Sequence, residues 1–344
     1  MVLCIGFFVL VICVAADSFI SFVERFPEHL SEAKLLGAGV KVSGVDKVVV
    51  TGMGGSAIAG SLLQTYCYEK APSLHVHVSR GYDVPAFVDG KTLVFAISYS
   101  GNTEETLSAV KAAMRKGARI VVVTSGGKLK LQAEQLNKPF VEVPEGIQPR
   151  AALPYLFLPL LNVMHNSGLI PDPSSEISSA VSALKAAASS YRERARSLAE
   201  KLVGKVPLIY SSDRMAGVAY RWKTQLNENA KIHAFTHVFP ELNHNELAGY
   251  VKLNANYYVI MLEDESDSRR VKERVKLTKE IIGKKDVAST QIVIKGEHIL
   301  TRILSAVHIG DLASVYLAKL TGVDPEPVQI IEDFKKQLGR VPFV

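Results

Sequence analysis

Ser98-Tyr99-Ser100-Gly101-Asn102-Thr103-Glu104-Glu105-Thr106 sets several hydroxyls and a glycine between two segments of opposite character. Leu93 to Ile97 before it is apolar throughout, and Leu107 to Lys116 after it carries apolar residues at helical spacing. The stretch is therefore expected to join a buried strand to a helix. The first turn of a helix has unpaired N–H groups and the positive end of the dipole. Ser98, Ser100 and Thr103 add donors, and Gly101 lets the backbone come close to a ligand. Such a turn can hold a phosphate. The plainer reading is a helix cap, with Asn102 and Glu105 as a capping box.

Four further stretches carry possible chemistry. Val50-Thr51-Gly52-Met53-Gly54-Gly55-Ser56-Ala57 is a glycine-rich turn after a short apolar run, able to present Ser56 to a phosphate. It also fits the dinucleotide pattern G-x-G-x-x-G/A through Gly52, Gly54 and Ala57. The acid expected at the end of the next strand is replaced by Ser79-Arg80, which would suit a 2′-phosphate, so an NADP oxidoreductase stays an alternative. Gly146-Ile147-Gln148-Pro149-Arg150 puts a guanidinium at a strand's carboxyl end, where it can hold an oxyanion or be a mere surface arginine. Glu228, in Gln225-Leu226-Asn227-Glu228-Asn229-Ala230-Lys231, falls at a helix C-terminus, a placement that suits a general base if it is buried. A solvated helix-end glutamate is the commoner case. His244, in Pro240-Glu241-Leu242-Asn243-His244-Asn245-Glu246, titrates in the range for proton transfer, or simply caps a helix with its asparagine neighbours. His75 with His77 and His233 with His237 lack an acid at zinc spacing, so no metal site is read.

These residues need a frame. From Lys47 strands and helices alternate: Val48–Val50, Leu74–Val78, Thr92–Ile97, Ile120–Thr124 and Phe140–Val143 read as strands, with helices between the first four at Ala57–Tyr68 and Glu104–Arg115, and a short one at Lys130–Leu136. The alternation restarts after a helical stretch from Ala151 to Val203, with strands at Val206–Ser211, Ile232–Val238, Tyr257–Leu262 and Thr290–Ile294. Helices are expected at Met215–Ala230, Leu242–Ala248, Arg269–Ile282, Ile299–Leu320 and Val328–Leu338. Asp17 to Leu36 reads as one further helix through Phe19, Phe22, Val23, Phe26 and Leu30. Repeated βα units imply an α/β fold with parallel sheets flanked by helices. The segments are 1–16 (hydrophobic), 17–46 (N-terminal helix), 47–150 (first βα block), 151–205 (helical connector), 206–323 (second block) and 324–344 (C-terminal helix with Lys335).

With 344 residues, 48% hydrophobic and 22% charged, the chain is long and apolar enough for a large packed core. A net charge of +6 favours anionic ligands. Basic residues are spread without long runs or aromatic interleaving, so a small phosphorylated substrate fits at least as well as nucleic acid. Cys4, Cys13 and Cys67 show neither metal nor disulfide spacing, which points to a reducing compartment. Met1 to Ala16 is apolar without a basic n-region. It reads as a misplaced start or a packed N-terminal element rather than an export signal, and no membrane association is expected.

Gly54-Gly55-Ser56 and Ser98-Tyr99-Ser100-Gly101-Asn102-Thr103 in a βαβ frame resemble the sugar isomerase (SIS) domain. Pro149-Arg150, Asn227-Glu228-Asn229, Asn243-His244-Asn245-Glu246 and the terminal Pro327-Val328 leading to Lys335 together resemble the archaeal bifunctional phosphoglucose/phosphomannose isomerases, over residues 20–340. The resemblance implies two SIS-type subdomains, each a three-layer αβα sandwich, and a cytoplasmic enzyme without cofactor or metal acting on hexose 6-phosphates. It implies that Gly55, Ser56, Ser98, Ser100 and Thr103 bind the substrate phosphate, that Glu228 is the base, and that Arg150 steadies an enediolate. It further implies that Lys335, and His244 from the partner in a homodimer, assist ring opening. An amino-sugar phosphate isomerase or a sugar-phosphate sensor of the same fold are the competing expectations.

Overall fold

The computed structural model describes residues 18–341. The apolar stretch 1–16, with Cys4 and Cys13, lies outside the described residues. Short runs rich in valine and isoleucine form a parallel 5-stranded sheet of β1 (Lys47–Thr51), β2 (His75–Ser79), β3 (Thr92–Ile97), β4 (Arg119–Thr124) and β5 (Phe140–Glu142), in the order β2-β1-β3-β4-β5. A second parallel sheet of four strands holds β6 (Val206–Ser212), β7 (Phe235–Phe239), β8 (Tyr257–Asp264) and β9 (Ser289–Ile294), in the order β7-β6-β8-β9. Each order reverses direction beside its first strand, between β1 and β3 and between β6 and β8. Crevices outside the carboxyl ends of strands at such points are where open α/β sheets bind ligands.

Alternate residues face opposite sides of each sheet. Val48, Val50, Leu93, Phe95, Val121 and Val123 join one core, whereas Val49, Val94, Ala96, Ile120 and Val122 join another. The second core is closed by α4 (Glu104–Arg115) and α5 (Gly127–Gln135). The outer face of the second sheet is closed by α9 (Arg269–Gly283) and the turns that follow β7. The inner faces of both sheets share one continuous core, built on α3 (Gly54–Lys70), α6 (Leu153–Asn166), α7 (Ser174–Leu202), α8 (Ala216–Glu228) and α10 (Ile299–Leu320). By length and composition α10 could cross a membrane, but it is the axis of this shared layer and is buried along nearly its whole length. A Cβ at Gly310 would come within 2.4 Å of the Trp222 indole, which donates to Ala306 O at 2.9 Å. The glycine is what lets α8 lie flush on α10.

Two expected helices are modified. Residues 17–36 do not form one helix: α1 (18–24) stops at Arg25, and α2 (Phe26–Ala33) begins with Pro27 in its first turn. Proline has no N–H to give to the preceding turn and crowds its carbonyl, so the helix is interrupted there. Leu242–Ala248 is not α-helical but two 3₁₀ turns, Glu241–His244 and Glu246–Val251. Asn245 at the junction accepts from Glu246 N and donates to Glu241 Oε1, and such local side-chain bonds compete with the helical ladder. The last helix, α11 (Gln329–Leu338), buries none of its residues in the chain.

Candidate active site

The first switch point brings together two helix starts and several hydroxyls. The β1 strand turns into α3 through Gly52 to Ser56, and no side chain caps that helix start. A Cβ at Gly52 would lie 2.8 Å from Ile97 O, so the turn hugs the end of β3. The β3 strand leads through Ser98 and Ser100 into α4, whose N-cap is Thr103. Thr103 Oγ1 does not cap the helix but shares a 2.9 Å hydrogen bond with Ser98 Oγ. Two helix N-termini thus open on one crevice without side-chain caps, beside the hydroxyls of Ser56, Ser98, Ser100 and Thr103.

Asn102 does not play the capping role expected from the sequence. Its Oδ1 accepts from Lys128 N at 3.1 Å and its Nδ2 donates to Ser100 O at 3.0 Å, tying the turn to the start of α5. Gly101 has φ +66°, and a Cβ there would fall 1.8 Å from Gly126 O. The conformation and the close approach both require glycine.

Arg150 is brought to the same place. Gly55 has no side chain in the way: a Cβ would sit 2.8 Å from Pro149 O and 3.1 Å from Arg150 Cα. Tyr99 holds the approach to this loop, its hydroxyl donating to Pro144 O and accepting from Ile147 N, each at 2.7 Å. The guanidinium is buried, with Phe19 under its face at 5.0 Å. Its Nε donates to Asn229 Oδ1 at 2.6 Å, its Nη2 to Pro325 O and Glu326 O at 2.5 and 2.7 Å, and its Nη1 to Gln148 Oε1 at 3.3 Å. Among the described residues this leaves one N–H of Nη1 without a protein acceptor. Burial holds Arg150 below its ordinary pKa, against the neighbouring charges of Glu228, Glu326 and Asp324.

Glu228 is the last residue of α8 and is half-buried. The helix is fixed from behind. Arg221 and Asp311 form a fully buried ion pair at 2.7 Å, and Arg221 also donates to Arg150 O at 2.9 Å. Asn229, which takes the Arg150 Nε, itself donates to Ser314 Oγ on α10 at 2.8 Å. Contacts thus link the turn from Gly52 to Ser56 to the end of β3 and to Arg150, Arg150 to Asn229 beside Glu228, and Ser98 to Thr103, into one candidate site. His244 and Lys335 are not joined to it: both are exposed, on the 3₁₀ turn and on α11, with no described hydrogen bond to the site.

A family model for the SIS domain matches residues 41–148, and one for the bacterial phospho-glucose isomerase C-terminal SIS domain matches 191–338. The chain is 41% identical over 336 residues to a bifunctional phosphoglucose/phosphomannose isomerase of Caldicellulosiruptor bescii, covering 93% of this chain and 98% of the relative. A protein of the same name from Aquifex aeolicus is 39% identical over 85% of this chain and 90% of its own length. The chain belongs to the bifunctional phosphoglucose/phosphomannose isomerase family. A D-glucosamine-6-phosphate 4-epimerase of Sulfolobus acidocaldarius is 33% identical over 87% of this chain and 90% of its own. Among solved structures, a hypothetical protein of Thermus thermophilus superposes with a TM-score of 0.71 at 16% identity, over 95% of this chain and 90% of that one, which shows the fold.

Within this isomerase-family frame the dinucleotide alternative loses its support. Ser79 Oγ donates to Asp83 O at 2.8 Å, and Arg80 donates to Ser61 Oγ at 2.5 Å with its guanidinium over the Tyr220 ring. Both side chains are engaged elsewhere, although the Ser79 carbonyl accepts from Gly52 N at 3.3 Å. Lys231 is a site residue without an assigned role in the sequence reading. Its signal was a lysine just past a helix end, where last-turn carbonyls need donors. Its Nζ donates to Glu228 O at 2.5 Å and to Pro327 O at 2.6 Å.

Proposed function

We propose that this chain interconverts glucose 6-phosphate and mannose 6-phosphate with fructose 6-phosphate through a cis-enediol(ate), without a metal. The observation that carries the proposal is the close approach of two parts through Gly55, which abuts Pro149 and Arg150. One is the pair of uncapped helix starts with Ser56, Ser98, Ser100 and Thr103. The other is the Arg150 guanidinium within electrostatic reach of Glu228.

In this reading the hydroxyls, the backbone at Gly55 and the helix dipoles hold the phosphate and take no part in bond breaking. The open-chain sugar extends from it toward Glu228. The Glu228 carboxylate removes the proton from C2 as the C1 carbonyl becomes an enediolate, and returns it to C1 as the O2 hydroxyl proton passes to O1 and the C2 carbonyl forms. The remaining Nη1 donor of Arg150 stabilises the enediolate oxygen as its charge grows. One base serves both aldoses, because rotation about C2–C3 presents either C2 hydrogen to it. Ring opening needs a donor at the ring oxygen and an acceptor for the C1 hydroxyl proton, roles given to Lys335 and to His244 from a second copy. The exposure of His244 and the bare apolar side of α11, with Ile330 and Phe334, support a homodimer that shares its sites. A cytoplasmic location follows from the same reading.

A coupled assay on glucose 6-phosphate and mannose 6-phosphate, with chelator present, tests this. Turnover of both is expected. Turnover only of an amino-sugar phosphate would move the chain to the epimerase-like reading, and loss of activity with chelator would restore a metal.

A further inference from the structure

Asp324-Pro325-Glu326-Pro327-Val328 links α10 to α11, and it is unusual in how it is held. Prolines at 325 and 327 have no N–H and a fixed φ, so the strap is stiff and offers mainly acceptors. Three successive carbonyls are taken by two cations. Arg150 donates to Pro325 O and Glu326 O at 2.5 and 2.7 Å. Lys231 donates to Pro327 O at 2.6 Å and lies 3.4 Å from Pro325 O. The same ammonium donates to Glu228 O at 2.5 Å, closing the C-terminal end of α8. Lys231 reaches these groups from a left-handed backbone, φ +57°, a conformation that costs a non-glycine residue free energy unless its surroundings impose it. Burial and the nearby Arg150 charge both lower its pKa, as expected of an ammonium held inward by carbonyls rather than solvated. Among the described residues α11 itself is buried nowhere along its length.

We propose that Lys231 is a positioning residue that locks the 324–328 strap to the Glu228 end of α8 and thereby sets where α11 presents Lys335 to the active site. With all three of its protons directed at carbonyls, Lys231 has none to offer a substrate. Its effect on the reaction passes through the placement of other groups. The proposal rests on the isomerase reading for Lys335, but the strap contact itself does not.

The test uses Lys231→Met, Lys231→Arg, Lys335→Met and the Lys231→Met/Lys335→Met pair in the full chain. Lys231→Met is expected to lower kcat on glucose 6-phosphate about ten- to hundredfold with KM little changed, the cost of misplacing a catalytic group by about 1 Å. Lys231→Arg keeps donors at the strap and is expected to recover most of that loss. In the Lys335→Met background Lys231→Met is expected to add less than about twofold, because the two act through one path. Hydrogen–deuterium exchange over residues 324–338 is expected to be at least threefold faster in Lys231→Met than in wild type. Wild-type kcat in Lys231→Met, or losses that multiply in the pair, overturns the proposal. Unchanged exchange across the strap also overturns it, whatever reaction the chain catalyses. Absence of isomerase activity with faster exchange would leave the lock standing and remove only its stated purpose.

Discussion

The two sheets have the same topology at their switch points and opposite contents. Beside β1 and β3 the chain leaves helix starts uncapped and hydroxyls on a crevice. Beside β6 and β8 the corresponding space is filled by the protein itself. Arg302 Nε lies 2.9 Å from Asp264 Oδ1 at the end of β8, and Arg302 Nη2 donates to Glu69 at 2.6 Å. Arg214, just past β6, donates to the same Glu69 at 3.0 Å. Even the buried hydroxyls at the ends of the first strands correspond, Thr51 on β1 and Ser212 on β6, each without a hydrogen-bond partner among the described residues. The fold supplies two equivalent places, and the residues at the strand ends differ: in the proposed reading one receives a ligand while the other ties the molecule together.

The contrast can be broken or sharpened by substitution. Glu228→Gln is expected to lower kcat on both aldose phosphates by about 10³-fold or more, with phosphate affinity by calorimetry unchanged. Turnover within tenfold of wild type would take the base away from the first crevice. Arg302→Met leaves Asp264 buried without its counter-charge and is expected to destabilise the chain by about 3–5 kcal/mol in urea unfolding, without altering phosphate affinity in the folded fraction. If affinity fell while stability held, the second crevice would be the binding one. Ser98→Ala with Ser100→Ala is expected to weaken phosphate binding about ten- to hundredfold, the worth of hydrogen bonds to a charged group, whereas Ser212→Ala leaves it unchanged.

The smallest effect concerns the layer between the sheets. His308 on α10 is buried, stacked on Phe26 at 5.2 Å, and burial lowers its pKa to about 3 from an ordinary 6.5. The folded state favours the neutral ring, so His308 contributes stability that is complete above pH 6.5 and is lost as pH falls toward 3. That loss amounts to about 1 kcal/mol between pH 6.5 and 5.5. His308→Leu should flatten this part of the pH–stability curve. Because both sheets share the core, acid should unfold them in one transition by far-UV circular dichroism and tryptophan fluorescence together. Two separated transitions would make the sheets independent.

The strands and most helices were legible because valine-rich runs and helical spacing report burial directly, and the two hydroxyl turns announced themselves by type and position. Arg150 could be placed at a strand end, but not its acceptors. Pro325 O and Glu326 O are backbone atoms brought to it from the far end of the chain. The Arg221–Asp311 pair was invisible for the same reason, since neither residue marks its partner across a long separation. Asn102 misled because a short amide can bond several local groups, and only the neighbouring turn settles which; Asn245 does cap, though a 3₁₀ turn and not an α-helix. The break before α2 was missed because the spacing of Phe22, Phe26 and Leu30 runs on through Pro27, the residue that interrupts the helix.

The helix layer common to both sheets has one more consequence. A repeat whose halves meet only at a linker can be cut, swapped or recombined. Here α3, α6, α8 and α10 belong to both halves at once, so neither half alone keeps its inner surface dry. The chain is expected to resist splitting into separately expressed parts, and grafting either half onto a foreign one would need a matched set of those four helices. Freedom to vary lies instead in the outer helices, α4, α5 and α9, which each answer to a single sheet.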